Sequence, residues 1–503
     1  MRFEARRVDL VDGGTHDHVP EPVQTVVVGG GLAGCAAATV LAERGASVTV
    51  IEQNSYLGGR AGAWTEALPE GEPFEMERGF HAFFRQYYNL RSLLRRVDPA
   101  LQSLLPLLDY PLLGPGGASE SFTGLAKLPP FNVVDLVRRT PRLRLRDLAR
   151  VNVRAALQML SYDPEATWRE FDSGNAREYL DSLNFPRDAR QMLFNVFAHS
   201  FFNPEEGMSA ADMLMMFHFY FMGNPEGLVF DVLNEPFSLS LWQPLRRYLE
   251  HRGVAFRMST SAERVERDGA RWRVRLANGE EPLEADAVVL ATDVPGLQRI
   301  VRQSPELDDP QWRRRVERLG VTLPFAVWRV FLDRPVRPDR YPFVGTTGLG
   351  SVDNISVYER FEGESRRWAL RKGGSVVEVH AYAVEEAVTE ADILDDFRRQ
   401  LHELYPETRE ARAIHERFLW RRDCPSFAPR SYEDRTTVAT PMNGIVLAGD
   451  FVKLPFPSAL MERAVASGFS AASHVLARWA VRPEPLWSVP PRGMMAGLRG
   501  LWS

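Results

Sequence analysis

The stretch Thr25-Val-Val-Val-Gly-Gly-Gly-Leu-Ala-Gly-Cys-Ala-Ala-Ala-Thr39 decides the fold. The three valines form a short apolar run of the kind that makes a buried strand. Gly29, Gly31 and Gly34 then fit the spacing G-x-G-x-x-G. The first glycine allows a tight turn, the second lets the backbone approach a pyrophosphate, and the third lets helix pack closely on strand. An Ala-rich helix from Cys35 to Arg44 follows, and Gly45 ends it in left-handed backbone. Ser47-Val-Thr-Val-Ile51 is a second strand with Glu52 at its end. A carboxylate there, about 20 residues past the glycines, accepts hydrogen bonds from ribose hydroxyls. The helix N-terminus offers its free N–H groups to the anion. Strand, glycine turn, helix and strand together are one βαβ unit of a dinucleotide-binding domain, and the fold class is α/β.

The composition around this unit is that of a globular chain. With 45% hydrophobic and 25% charged residues, the 503-residue sequence is neither fibrous nor mostly disordered. At about 150 residues per domain, two or three domains are expected. The 61 Lys and Arg against 66 Asp and Glu leave no polyanion-binding excess, so nucleic acid is not an expected partner. Cys35 and Cys424 are the only cysteines, too few for a disulfide framework or a four-thiolate metal site, and no His/Cys cluster has ligand spacing. No metal is expected. The charged start, Met1-Arg-Phe-Glu-Ala-Arg-Arg7, lacks the apolar core of a signal peptide. No run reaches the roughly 18 apolar residues of a membrane span. A cytoplasmic location is the expectation, with peripheral contact at the inner face of the cell membrane. Between Arg138 and Arg154, seven arginines interleaved with Leu and Val carry that contact as an interfacial helix. Oligomeric state has no signature.

Periodicity divides the chain. Residues 1–22 read as a flexible tail and 481–503 as a C-terminal tail. The nucleotide domain takes 23–97, 238–299 and 415–480. A second, α+β substrate domain takes 98–237 and 300–414. From about 98 to 235 the sequence is rich in Leu, Met, Phe and Arg with helical spacing, as in Val134–Arg139, Leu143–Leu157 and Ala189–Phe197. Alternation marks strands at Phe325–Phe331, Ile355–Tyr358 and Val376–Tyr382, and the turn Asn278-Gly279 marks a hairpin after Trp272–Leu276. Gly444-Ile-Val-Leu-Ala-Gly-Asp450 returns to the nucleotide-domain style, followed by a helix from Ser458 to Arg478.

Leu57-Gly-Gly-Arg60 close behind Glu52, paired with the late Ala448-Gly-Asp450, resembles the glutathione-reductase-type FAD-binding fold of the flavin amine oxidase and phytoene desaturase superfamily. The resemblance implies FAD as cofactor. It places Gly58, Gly59 and Arg60 over the diphosphate, Asp450 on the ribitol, backbone near Met461 and Glu462 at the flavin pyrimidine edge, and an adenine contact at Val265. No second nicotinamide fingerprint follows.

The most distinctive stretch is Glu77-Arg-Gly-Phe-His-Ala-Phe-Phe-Arg-Gln-Tyr-Tyr-Asn-Leu90. With Pro457-Ser-Ala-Leu-Met-Glu-Arg463 and Arg422-Asp-Cys-Pro425 it resembles the isorenieratene synthase family, the carotenoid β-ring desaturase/methyltransferases, over nearly all of 24–478. The resemblance implies a hydrophobic carotenoid substrate and conversion of a β-ionone ring to an arene with a methyl shift. The Met- and aromatic-rich segment 208–222 suits such a substrate. Glu462 and Glu77 are the candidate carboxylates near the ring. His81 is the candidate base, and Phe84, Tyr87 and Tyr88 supply aromatic faces. Two other readings stand beside this one. One is another flavin-dependent isoprenoid desaturase or oxidase acting on linear carotene or squalene-pathway substrates. The other is a non-catalytic isoprenoid-binding protein of the same fold.

Overall fold

In a computed structural model, which describes residues 4–121, 123–129, 131–139, 150–186, 190, 201–226, 229–277 and 279–501, the valine run becomes the central strand of a five-stranded parallel sheet. The strand order is Ala255–Arg257, Ser47–Ile51, Gln24–Val28, Ala287–Leu290, Ile445–Leu447. Gln24–Val28 has its successor on one side and a distant segment on the other. The strand order therefore reverses at its C-terminal end, where open α/β sheets bind ligands. Val26–Val28, Val48, Val50 and Ile51 are buried, as strands covered on both faces must be.

The helix Leu32–Glu43 packs on this sheet and against the helix Leu460–Ala477. Small residues make that approach possible. A Cβ on Gly468 would lie 2.2 Å from the Ala33 carbonyl oxygen, so the helices touch through backbone. Gly45 at φ +85° closes the first helix as its sequence position implies.

The second layer is a seven-stranded mixed sheet, in the order Ala413–Arg421, Phe325–Leu332, Ser375–Ala381, Asn354–Val357, Phe343–Thr346, Leu112–Gly114, Ala118–Glu120. The helix Glu390–Leu404 covers one face through Ile393, Phe397 and Leu401. Three expected boundaries change here. Ala413–Arg421 pairs with Phe325–Leu332 through all of its length, so this sheet extends past residue 414. Residues near 98–120, expected to be helical, supply strands to two sheets, because Leu104–Leu107 and Leu112–Gly114 are too short and too interrupted by proline to wind. The segments read as tails are paired with each other: Arg6–Val8 runs antiparallel to Leu486–Ser488, and His16 bridges to Val481. Leu143–Ala149, Ala189, Gln191–Phe197 and Asn278 lie outside the described residues, with most of the arginine-rich stretch.

Candidate active site

The glycine turn and the seven-stranded sheet open on one cavity of about 640 Å³. Its polar end is built around Glu52. One carboxylate oxygen accepts the Gly30 N–H at 2.8 Å; the other accepts the Asn54 backbone N–H at 2.8 Å and its side-chain amide at 2.7 Å. These bonds hold Glu52 at the lip of the turn with acceptor capacity left toward the cavity. Gly31 starts the helix Leu32–Glu43 with no side-chain cap, and Leu32 and Ala33 line the cavity. A Cβ on Gly31 would meet nothing nearer than the Gly58 carbonyl oxygen at 3.9 Å, so it would point into the open space of the cavity. Gly34 faces the other way: a Cβ there would sit 1.9 Å from the Gly29 carbonyl oxygen. An uncapped helix N-terminus over a bare glycine is a cradle for a diphosphate.

Gly58 crosses this cradle, donating to the Gly30 carbonyl at 2.9 Å. Its φ of +114° and the Trp242 indole, 2.6 Å from where a Cβ would sit, both demand glycine. Arg60 lines the cavity and forms an ion pair with Asp450. Burial disfavours the guanidinium charge, but Asp450 outweighs it and holds Arg60 well above its ordinary value. Leu460, Met461 and Ala464 bring the start of the helix Leu460–Ala477 to the same wall, again without a side-chain cap. Gly29, Gly31, Glu52, Gly58, Gly59, Arg60, Asp450 and Met461 thus meet in one place.

Val265 does not join them. It is buried in the strand Ala262–Asp268 and donates its N–H to Ser304 Oγ at 2.8 Å. The wall beside Glu52 comes instead from Thr260–Ala262 and from Asp293, Gly296 and Arg299.

The other end of the cavity is aromatic. Phe84, Phe230, Phe343, Tyr110 and Tyr220 line it, with Phe84 edge-on to Tyr220 at 4.9 Å between ring centres. Tyr87 also lines it and shares a 2.6 Å hydrogen bond with the Tyr220 hydroxyl. Tyr88 lies outside the lining. His81 lines the cavity, and its Nδ1 lies 2.7 Å from the Gly79 carbonyl oxygen. A carbonyl accepts only, so Nδ1 carries the proton and Nε2 is the ring's acceptor. Burial lowers the His81 pKa to about 4, so the imidazole is neutral at physiological pH.

Two expected carboxylates are elsewhere. Glu462 lies outside the cavity lining. It accepts the Asn89 N–H at 2.9 Å, the Leu90 N–H at 2.9 Å and the Asn89 amide at 2.6 Å, capping the helix Tyr88–Leu94 from a distant segment. That helix starts with no side-chain cap of its own, so its free N–H groups draw the carboxylate. Glu77 also lies outside the lining. It accepts the Phe237 N–H at 2.8 Å and approaches Arg329 at 3.5 Å. Burial raises its pKa to about 8 despite Arg329.

The residues that adjacency in sequence did not connect are His380 and Tyr382, both in the cavity wall. A signal for them exists: Glu378, His380 and Tyr382 alternate with Val377, Val379 and Ala381, one polar face on an otherwise apolar strand.

A parallel sheet with a bare glycine cradle, joined through one cavity to an aromatic chamber on a mixed sheet, defines a flavin-dependent oxidoreductase. The chain belongs to the flavin containing amine oxidoreductase family, whose model matches residues 32–476, and its cofactor is FAD. It is 48% identical over 475 residues to a carotenoid phi-ring synthase of Streptomyces griseus, covering 94% of this chain and 92% of that one. It is 28% identical to a carotenoid phi-ring synthase of Chlorobaculum tepidum over the same shares of the two chains, 94% and 92%. The cyclohexylamine oxidase of Brevibacterium oxydans shares the fold, with a TM-score of 0.64 at 16% identity over 92% of this chain and 99% of that one.

Proposed function

We propose that this FAD-dependent oxidoreductase acts on the cyclic end group of a carotenoid, converting a β-ionone ring to an aromatic ring with a 1,2-methyl shift, as in isorenieratene formation. The observation that carries the reading is the single cavity that joins the glycine cradle to the aromatic chamber. The phi-ring synthases at 48% and 28% identity supply the substrate class. A β-ionone ring has one double bond and a quaternary carbon bearing two methyls. An arene needs three double bonds and admits no quaternary carbon. Four hydrogens must leave each ring, and one methyl must move to its neighbour.

When bound, FAD supplies the hydride acceptor for such a dehydrogenation. The chain supplies position and electrostatics. Glu52 would hold the ribose, and the open helix start at Leu32 would take the diphosphate with Gly58, Gly59 and Arg60; Asp450 would take the ribitol and the Met461 backbone the flavin edge. The faces of Phe84, Phe230 and Tyr220 shield positive charge that develops on the ring. His81, a neutral imidazole, lines the same chamber with Nε2 as its acceptor nitrogen. Mass analysis of pigment from cells making β-carotene tests this reading. Loss of four hydrogens per ring at constant carbon count, only when the protein is present, is the expected result. Unchanged β-carotene together with newly desaturated linear carotene would assign the protein to linear substrates.

The proposed site of action is a membrane surface on the cytoplasmic side, since the substrate is insoluble in water. Support comes from the short helix Phe131–Arg139, where Phe131 and Val134 are exposed, with exposed Leu128 just before it in the chain and Lys127, Arg138 and Arg139 in the same stretch. Asn132 ties this helix to the cavity wall through the Phe221 carbonyl at 2.7 Å. Among the described residues no helix is long and apolar enough to cross a membrane. Sedimentation with anionic vesicles is expected for the wild type and is expected to be lost in Phe131→Ser; equal sedimentation of both would remove this surface.

A further inference from the structure

Removing hydride from a ring leaves a cation, and the sequence of steps ends only when a proton leaves a neighbouring carbon. We infer that Tyr382 is the group that takes this proton, relaying its own hydroxyl proton to His380 against the carboxylate of Glu378. The inference rests on the carotenoid-ring reading above and adds to it a catalytic residue with two positioning residues behind it.

The geometry is a chain of hydrogen bonds that ends in the cavity. Tyr382 Oη lies 2.7 Å from His380 Nδ1, and His380 Nε2 lies 2.7 Å from Glu378 Oε1. Glu378 is completely buried and is held ionised by four donors: Arg329 Nε at 2.7 Å, the Tyr358 hydroxyl at 3.0 Å, the Phe80 N–H at 2.9 Å and His380. Burial alone would raise its pKa, but Arg329 and His380 bring it down to about 2. A carboxylate only accepts, so His380 Nε2 carries the ring proton and Nδ1 is left as an acceptor. Asn354 Nδ2 donates to Tyr382 Oη at 3.0 Å, which turns the phenolic hydrogen toward His380. Tyr382 and His380 line the cavity, and the Tyr382 ring stands edge-on to Phe202 at 4.6 Å, also in the wall.

This is the arrangement of a base with an orienting carboxylate behind it. The ring C–H bond breaks and its electron pair becomes the new C=C bond. The proton passes to Tyr382 Oη as the phenolic proton passes to His380 Nδ1. Tyrosine stays neutral, and the charge that leaves the substrate ends as an imidazolium beside Glu378. Burial keeps the phenol protonated on its own, so the relay, not a phenolate, does this work. Among the described residues His81 hydrogen-bonds no carboxylate: its Nδ1 meets the Gly79 carbonyl, and burial works against a proton added to the ring. The pair of histidines is thus unequal, with His380 the one built to hold charge.

The test compares wild type, Tyr382→Phe, His380→Gln and His81→Gln on β-carotene in detergent micelles, reading product, flavin content and melting temperature. Tyr382→Phe and His380→Gln are expected to lower kcat about 10²–10⁴-fold, with KM, flavin content and melting temperature near wild type. A purely structural role would move melting temperature and KM instead. His380→Gln carries the test if Tyr382→Phe does not fold. Aromatic product at the wild-type rate from Tyr382→Phe, or a loss confined to His81→Gln, would overturn the relay and leave the ring-aromatising reading intact. A wild type that aromatises no carotenoid ring would overturn that reading and the relay with it.

Discussion

Arg329→Met is expected to lower the unfolding free energy by about 3–5 kcal/mol, because it leaves a buried carboxylate without its cation. Arg329 is 1% exposed in the strand Phe325–Leu332. Its Nε bonds Glu378 at 2.7 Å, its Nη2 approaches Glu77 at 3.5 Å, and its guanidinium stacks 4.0 Å above the Tyr358 ring. Glu378 is drawn down to about 2 and Glu77 is pushed up to about 8, so at neutral pH one carboxylate balances one guanidinium and Glu77 is protonated. Glu77 binds its proton more tightly folded than unfolded, so its contribution is fully present below about pH 4.5 and is lost as pH rises through about 8. Glu77→Gln is expected to flatten that fall. Denaturant melts of the three proteins across this range read both effects. A cost below about 1 kcal/mol for Arg329→Met would mean that the cluster is reached by water.

Gly34→Ala is expected to yield a protein without yellow colour, with FAD bound about 100-fold more weakly, on the order of 3 kcal/mol. Alanine is the better helix former by about 1 kcal/mol, so any loss comes from contact, not propensity. The contact is with backbone: 1.9 Å from the Gly29 carbonyl oxygen, where no side chain can step aside. The turn must open, and the cradle opens with it. Gly31→Val makes the complementary test. Its side chain enters cavity space, so FAD is expected to be lost while the melting temperature of the flavin-free protein is kept. Titration of both flavin-free variants with FAD, followed by fluorescence quenching, reads the two constants. Affinity within threefold of wild type in both would remove the glycine turn from the cofactor site.

The cofactor half of the molecule was legible because its signals are local. Strand, glycine turn, helix and Glu52 lie within 28 residues, and each requirement falls on a residue type with few substitutes. The chamber was less legible because its walls come from strands far apart in the chain: Phe84 meets Phe230 at 5.5 Å and Phe230 meets Phe343 at 5.6 Å. Glu462 misled because position in a motif does not reveal which way a helical side chain points. On the first turn of Leu460–Ala477, Met461 faces the cavity while Glu462 turns to the uncapped helix Tyr88–Leu94. The terminal segments misled for a similar reason. Their strands are three residues each, below the length at which alternation is visible, and among the described residues they pair with each other in a two-stranded sheet. The polar alternation through Glu378, His380 and Tyr382 stood in plain view, but its meaning depends on Arg329 from the neighbouring strand.

For hydride to leave the ring, cofactor and ring must share one chamber. Anaerobic addition of β-carotene in detergent micelles to the oxidised holoprotein tests it most directly, with the flavin absorbance as readout. Bleaching of the oxidised band, one flavin reduced for each pair of hydrogens lost from a ring, is the result predicted. A flavin that stays oxidised in the presence of bound carotenoid, while a chemical reductant bleaches it at once, would contradict the account.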